Sequence, residues 1–155
     1  MATGKLVGLL ALAPFEALYG LATGSVGALV ASSLLYAVLP LLAAAAAFRE
    51  GVAPRARILL AVAGAGKALL VLTTPSEPLH YSIDTLAVLA GALVAFEEAR
   101  GPAATIALLA TAAGAGLVAV KHLAPGLAEM GLTLQVIGLL AAWAALESSR
   151  GRGRP

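Results

Sequence analysis

The stretch IALLATAAGAGLVAV, residues 106–120, carries no charge and a single hydroxyl, and its apolar residues fall on every face. Residues 38–48, VLPLLAAAAAF, read the same way. A strand crossing lipid alternates apolar and polar residues, and a helix lying on a soluble core shows a polar stripe; neither pattern is present. A helix pairs its own backbone groups internally, so uninterrupted apolar runs of this kind predict helices buried in a bilayer.

The rest of the chain extends the pattern. It has 155 residues, 61% of them hydrophobic and only 12% charged, with a mean hydropathy of +0.97. A spanning helix needs roughly 20 apolar residues. Charges and Pro/Gly clusters divide the sequence into spans of about 6–22, 26–48, 57–74, 80–97, 103–121 and 127–147. The expected fold is therefore an all-α polytopic membrane protein of six transmembrane helices. Residues 1–155 form a single membrane domain, with a short basic tail at 148–155. This plan leaves no room for a nucleotide-binding fold, a DNA-reading module or an extramembrane catalytic domain, and the formal net charge of +2 is not a nucleic-acid patch. Lys5 followed by an apolar run also resembles a signal peptide, but Glu16 and Tyr19 stand where a cleavage region needs small residues, so the segment reads as the first helix.

Orientation follows from where the charges fall. With the N-terminus on one side, that side collects Lys5, Arg49, Arg55, Arg57, Arg100, Arg150, Arg152 and Arg154, the other receives Lys121 alone, and Lys67 lies inside a span. The positive-inside rule then predicts both termini in the cytoplasm of a cell membrane, with the turns at 23–25, 75–79 and 122–126 outside. The cytoplasmic arginines set topology and meet anionic headgroups. Cys and Asn are absent, Gln occurs once, and Ala and Leu supply 69 of the 155 residues. That depletion of thermolabile types fits a thermophilic prokaryote, as does a GC-rich codon bias. Without cysteine there is no disulfide, thiolate metal site or thiol nucleophile.

A shift of fifty residues superposes Gly64-Ala65-Gly66 on Gly114-Ala115-Gly116, Pro75 on Pro125, Glu97 on Glu147 and Arg100-Gly101 on Arg150-Gly151. The matches suggest three consecutive helical hairpins, each a span out, a tight turn and a span back. Convergence accounts for them equally, since inner loops need Arg and Gly and outer turns favour Pro.

Ionisable groups inside a bilayer cost at least a few kcal/mol each on insertion scales, so each needs a reason. Three qualify: Glu16, Lys67 and Asp84. Counted from the external turn, Lys67 and Asp84 have similar depth, which predicts either a structural ion pair or a pair lining an external cavity. Asp84, Ala87, Gly91 and Ala95 form a stripe of small residues at helical spacing, where transmembrane helices pack closely. Glu16 follows Pro14, which frees backbone carbonyls, and precedes Tyr19; together these make the first span the leading candidate for a binding site. The expected substrate-binding residues are Glu16, Tyr19, Lys67 and Asp84.

A second polar ring lies nearer the outer surface: Glu77, His80, Tyr81, Lys121, His122 and Glu129. His80, His122 and Glu129 are candidate ligands for a divalent metal, without a supporting helical spacing, and the two histidines are weak candidates for axial haem ligation. Gln135 reads as an interhelical hydrogen-bonding residue, with Gly131 and Gly138 on its face. No nucleophile elbow, phosphate loop or HExxH motif is present, so the residues point away from an enzyme. Two functions remain as expectations. In one, the protein binds or transports a small polar solute or cation at an outward-facing polar site. In the other, it is a non-catalytic accessory or scaffold subunit whose partners, beyond the lipid bilayer, are other membrane subunits or further copies of itself.

Overall fold

The computed structural model describes residues 2–73 and 77–151. Among them every regular element is helical. Six helices are long and apolar enough to cross a membrane: Ala2–Thr23, Val26–Glu50, Pro54–Thr73, Glu77–Ala99, Pro102–Ala119 and Leu127–Gly151. The first is interrupted at Ala11 into α1, Ala2–Leu10, and α2, Leu12–Thr23. Pro14 cannot donate a hydrogen bond to the Leu10 carbonyl, and the Ala11 N–H turns instead to Gly8. The remaining spans are α3 to α6 in chain order and α7, Leu127–Gly151.

Helix ends follow local chemistry. Gly24, at φ +69°, closes α2 in the left-handed conformation, and the next residue, Ser25, caps α3 by accepting from Ala28 N–H at 3.2 Å. Two residues thus reverse the chain. Pro102 starts α6, where a missing N–H costs nothing. Several helices outrun the expected spans: α3 continues through Arg49 and Glu50, and α7 through Arg150 to Gly151, so the expected tail at 148–155 is helical over 148–151. The fifth span ends earlier than expected, at Ala119, and Lys121–Leu123 forms a 3-10 turn. Pro75 of the expected outer turn and Arg152 and Arg154 of the tail lie outside the described residues.

Small residues set the packing. A Cβ on Gly114 would stand 2.5 Å from the Gly131 carbonyl oxygen, and one on Gly131 would stand 2.6 Å from the Gly114 oxygen, so α6 and α7 touch backbone to backbone. Gly64 makes a comparable approach to Leu41 N and the Ala37 carbonyl of α3. The two glycines that the fifty-residue shift superposes therefore meet different neighbours: Gly64 packs on the helix before its own, and Gly114 on the helix after. Helix α5 runs through the middle; its buried face includes Ala87, Gly91 and Ala95, and Gly91 admits Leu10 of α1 and Leu139 of α7. Outward-facing leucines, valines and isoleucines cover the perimeter, from Leu72, 82% exposed, to Ile106 and Leu109. A water-soluble protein buries such a surface; a bilayer solvates it.

Both described chain ends meet at one end of the bundle. The Ala2 and Thr3 N–H groups donate to the Glu50 carboxylate, Ala53 N–H donates to Glu98, and Gly4 lies beside Leu146 and Glu147. Lys5, Arg49, Arg55, Arg57, Arg100 and Arg150 are all at this end. The turn at 24–25 and the Lys121–Leu123 segment are at the other.

Candidate functional site

The lysine and aspartate that the sequence places at similar depth meet. Lys67 Nζ lies 2.7 Å from Asp84 Oδ1. Lys67 is six residues from the end of α4 and Asp84 seven from the start of α5, so the pair sits about 10 Å below those helix ends at ~1.5 Å per residue. Gly66 lets Ile83 of α5 approach, and Gly64 seats α4 on α3, so the lysine stem has only a short gap to cross.

Three groups surround the ammonium. Besides Asp84, it donates to His80 Nδ1 at 3.1 Å, and it lies 5.6 Å from the centre of the Tyr36 ring. An ammonium offers donors only, so in this contact Nδ1 is the acceptor, which requires the ring proton on Nε2. The Tyr36 hydroxyl donates to Gln135 Oε1 at 3.4 Å, tying α3 to α7 across the bundle. Lys67 is 1% exposed, whereas Asp84 keeps 18% of its surface open. The lysine is nearly covered, and the aspartate is the more open of the two.

Both line a partly open cavity of about 490 Å³. All six spans contribute to the walls: Ala17 from the first, Ser32 and Tyr36 from α3, Lys67 from α4, Asp84 from α5, Val118 from α6, and Leu132 and Gln135 from α7. Glu77, His80, Tyr81 and Asp84 recur at three- and four-residue intervals along α5, which puts them on one face from mouth to floor. At the mouth, Lys121 pairs with Glu77 at 2.7 Å, donates to the Tyr81 hydroxyl and lies 3.7 Å from the centre of that ring. Burial works against the Lys121 charge, but the hydrogen bonds to Glu77 and Tyr81 outweigh it and raise its pKa above the ordinary lysine value. The cavity lining thus brings together two lysines, two carboxylates and one imidazole.

The other candidates lie elsewhere. Glu16 is half-buried on the flank of α2, Tyr19 is 52% exposed, and neither lines the cavity. Ala17 and Leu21 of the same helix do, because one residue's advance turns a helix by about 100°. His80, His122 and Glu129 are not gathered: His80 faces Lys67, while His122 and Glu129 are exposed at the bundle end. Among the described residues no three His, Cys, Asp or Glu side chains are placed to hold a metal ion. Sequence reasoning passed over Ser32, Ser33 and Tyr36, whose signal was three hydroxyls within five residues of an otherwise apolar run from Val26 to Phe48.

Comparison with known proteins yields no match: no protein-family model fits the chain, and no curated protein or solved structure is significantly similar to it.

Proposed function

We propose that this protein binds a small polar or charged solute in the cavity above Lys67 and Asp84 and moves it across, or presents it at, the cell membrane. One observation carries the reading: a buried ion pair forms the floor of a cavity that all six spans help to wall. Holding two charges in lipid is costly, and a helix packed only as a spacer gains nothing from keeping a carboxylate accessible beside them. A volume of about 490 Å³ is in the range of small-molecule sites, ~300–1,000 Å³.

The same reading places both termini in the cytoplasm and the cavity mouth outside. Its support is the basic cluster at the closed end, against Lys121 alone at the open end, where that cation is already paired with Glu77.

Thermal unfolding of the detergent-purified protein against amino acids, carboxylates, amines and divalent cations tests the proposal. At least one class raises the midpoint of the wild type and leaves the Lys67→Met/Asp84→Asn double variant unmoved. If no compound shifts the wild type and the protein leaves native membranes bound to another membrane chain, the accessory-subunit reading replaces this one.

A further inference from the structure

The two members of the buried pair are not equivalent, and the asymmetry identifies what the cavity accepts. Lys67 is enclosed by an anion, a ring nitrogen and an aromatic face. Among the described residues Asp84 has Lys67 as its one ionic partner, and although both side chains line the cavity, Asp84 is the more open, 18% against 1%. At this depth the floor tolerates a neutral sum of charges far better than a net one, because an uncompensated buried ion loses its hydration without a partner to replace it. An added anion must therefore enter with a proton, and an added cation must expel one.

The surroundings favour the anion. Expelling a proton means neutralising Lys67 and giving up its ion pair with Asp84. Both tyrosine rings at the cavity, Tyr36 and Tyr81, already carry a lysine ammonium and are not free for a ligand cation. The remaining wall is largely apolar, with Leu21, Leu29, Val118 and Leu132, and the volume far exceeds that of a simple inorganic ion.

We propose that the cavity takes a small organic monocarboxylate together with one proton, the ligand's carboxylate replacing that of Asp84 at the Lys67 ammonium as Asp84 becomes protonated. The proton comes from water at the mouth, and Lys67 keeps all three of its own. The floor is neutral before and after: ammonium with Asp84 carboxylate, then ammonium with ligand carboxylate and Asp84 carboxylic acid. The titratable groups around Asp84 are Lys67 from α4, Glu77, His80 and Tyr81 from α5, Tyr36 from α3, and Lys121 beyond α6; among the described residues α2 and α7 bring none to the cavity. Of these, His80 is the competing proton acceptor.

The inference rests on the proposed binding role of the cavity. Its test uses acetate, lactate and benzoate against methylammonium and choline, with affinities measured on the detergent-purified protein across neutral and alkaline pH. Uptake of one proton per anion raises the apparent carboxylate Kd tenfold per pH unit while Asp84 is ionised in the free protein. Calorimetry in two buffers of different ionisation enthalpy gives the same proton count on the wild type alone. In Asp84→Asn, a permanent mimic of the protonated acid, carboxylate binding persists with a flat pH profile, and benzoate restores stability if the variant is otherwise too weak to purify. Carboxylate binding without a pH slope overturns the inference. So does a slope kept in Asp84→Asn and lost in His80→Asn. Binding of amines in place of carboxylates overturns it and leaves the binding role of the cavity intact, whereas no binding by any probe removes both.

Discussion

Cutting the Lys67–Asp84 pair one side at a time should cost unequally, and cutting both sides should cost little. Lys67→Met keeps the length of the stem and removes the charge. Asp84 is then unpaired, but with 18% of its surface open to the cavity it can take a proton and become neutral. Asp84→Asn leaves an ammonium that is 1% exposed and has only the His80 nitrogen and the Tyr36 ring to hold it. Removing one partner of a buried pair costs about 3–5 kcal/mol, and Asp84→Asn belongs in that range with Lys67→Met below it. The double variant buries no ion and stays within about 1 kcal/mol of wild type, because a buried pair gains little net stability over neutral groups of similar shape. Unfolding by sodium dodecyl sulfate in mixed micelles measures all three. The single tryptophan, Trp143 of α7, lies against Gly8 of α1 and reports separation of those helices. If the double variant loses the sum of the two singles, the residues do not interact and the site argument fails.

Three further outcomes are expected. Gly114→Ala presses a methyl group onto the Gly131 oxygen and loses about 1–3 kcal/mol, while Gly116→Ala, with nothing within 4 Å of its Cβ, is neutral or slightly stabilising; thermal unfolding of the two variants gives the comparison. Lys121→Gln lowers stability by less than about 1 kcal/mol, an effect that salt screens. Because the folded-state pKa of Lys121 is raised, its contribution is complete below the ordinary lysine value of 10.5 and fades as pH rises through the higher folded value; a wild-type advantage that vanished near neutral pH would refute the pairing. The chain has no cysteine, so single cysteines report sidedness directly: Leu123→Cys reacts with an impermeant maleimide in intact cells, and Ser148→Cys reacts only after lysis. The reverse pattern would place the cavity mouth in the cytoplasm.

Parts of the site were legible because depth is a linear quantity. Lys67 and Asp84 flank one short connection, and counting residues from it places them level before any packing is known. The mouth residues Glu77, Tyr81 and Lys121 were legible for the same reason, as polar groups near helix ends. Glu16 shows the limit. Its position after Pro14 marks an irregular stretch of helix correctly, as the break at Ala11 shows, but irregular backbone does not say which way a side chain turns. Tyr36 and Gln135 are 99 positions apart, and no local pattern connects them.

The sequence by itself determined that the chain forms helices, that the described residues hold six apolar spans, and roughly where each span begins and ends. Lipid requires every backbone group to be paired within its own segment and every span to reach bilayer length, and both demands act residue by residue. Only the tertiary structure decided how each helix is rotated about its axis, and so which polar residues share a cavity. In water the outer face of a helix is polar and periodicity reveals its rotation; in lipid the outer face is as apolar as the core, and that signal is lost. Rotation is set instead by close contacts such as Gly114 on Gly131 and Gly64 on Leu41; for α2 the approach of Gly20 to Leu29 and the Ser32 hydroxyl on the Ala13 carbonyl turn Ala17 toward the cavity and leave Glu16 on the flank.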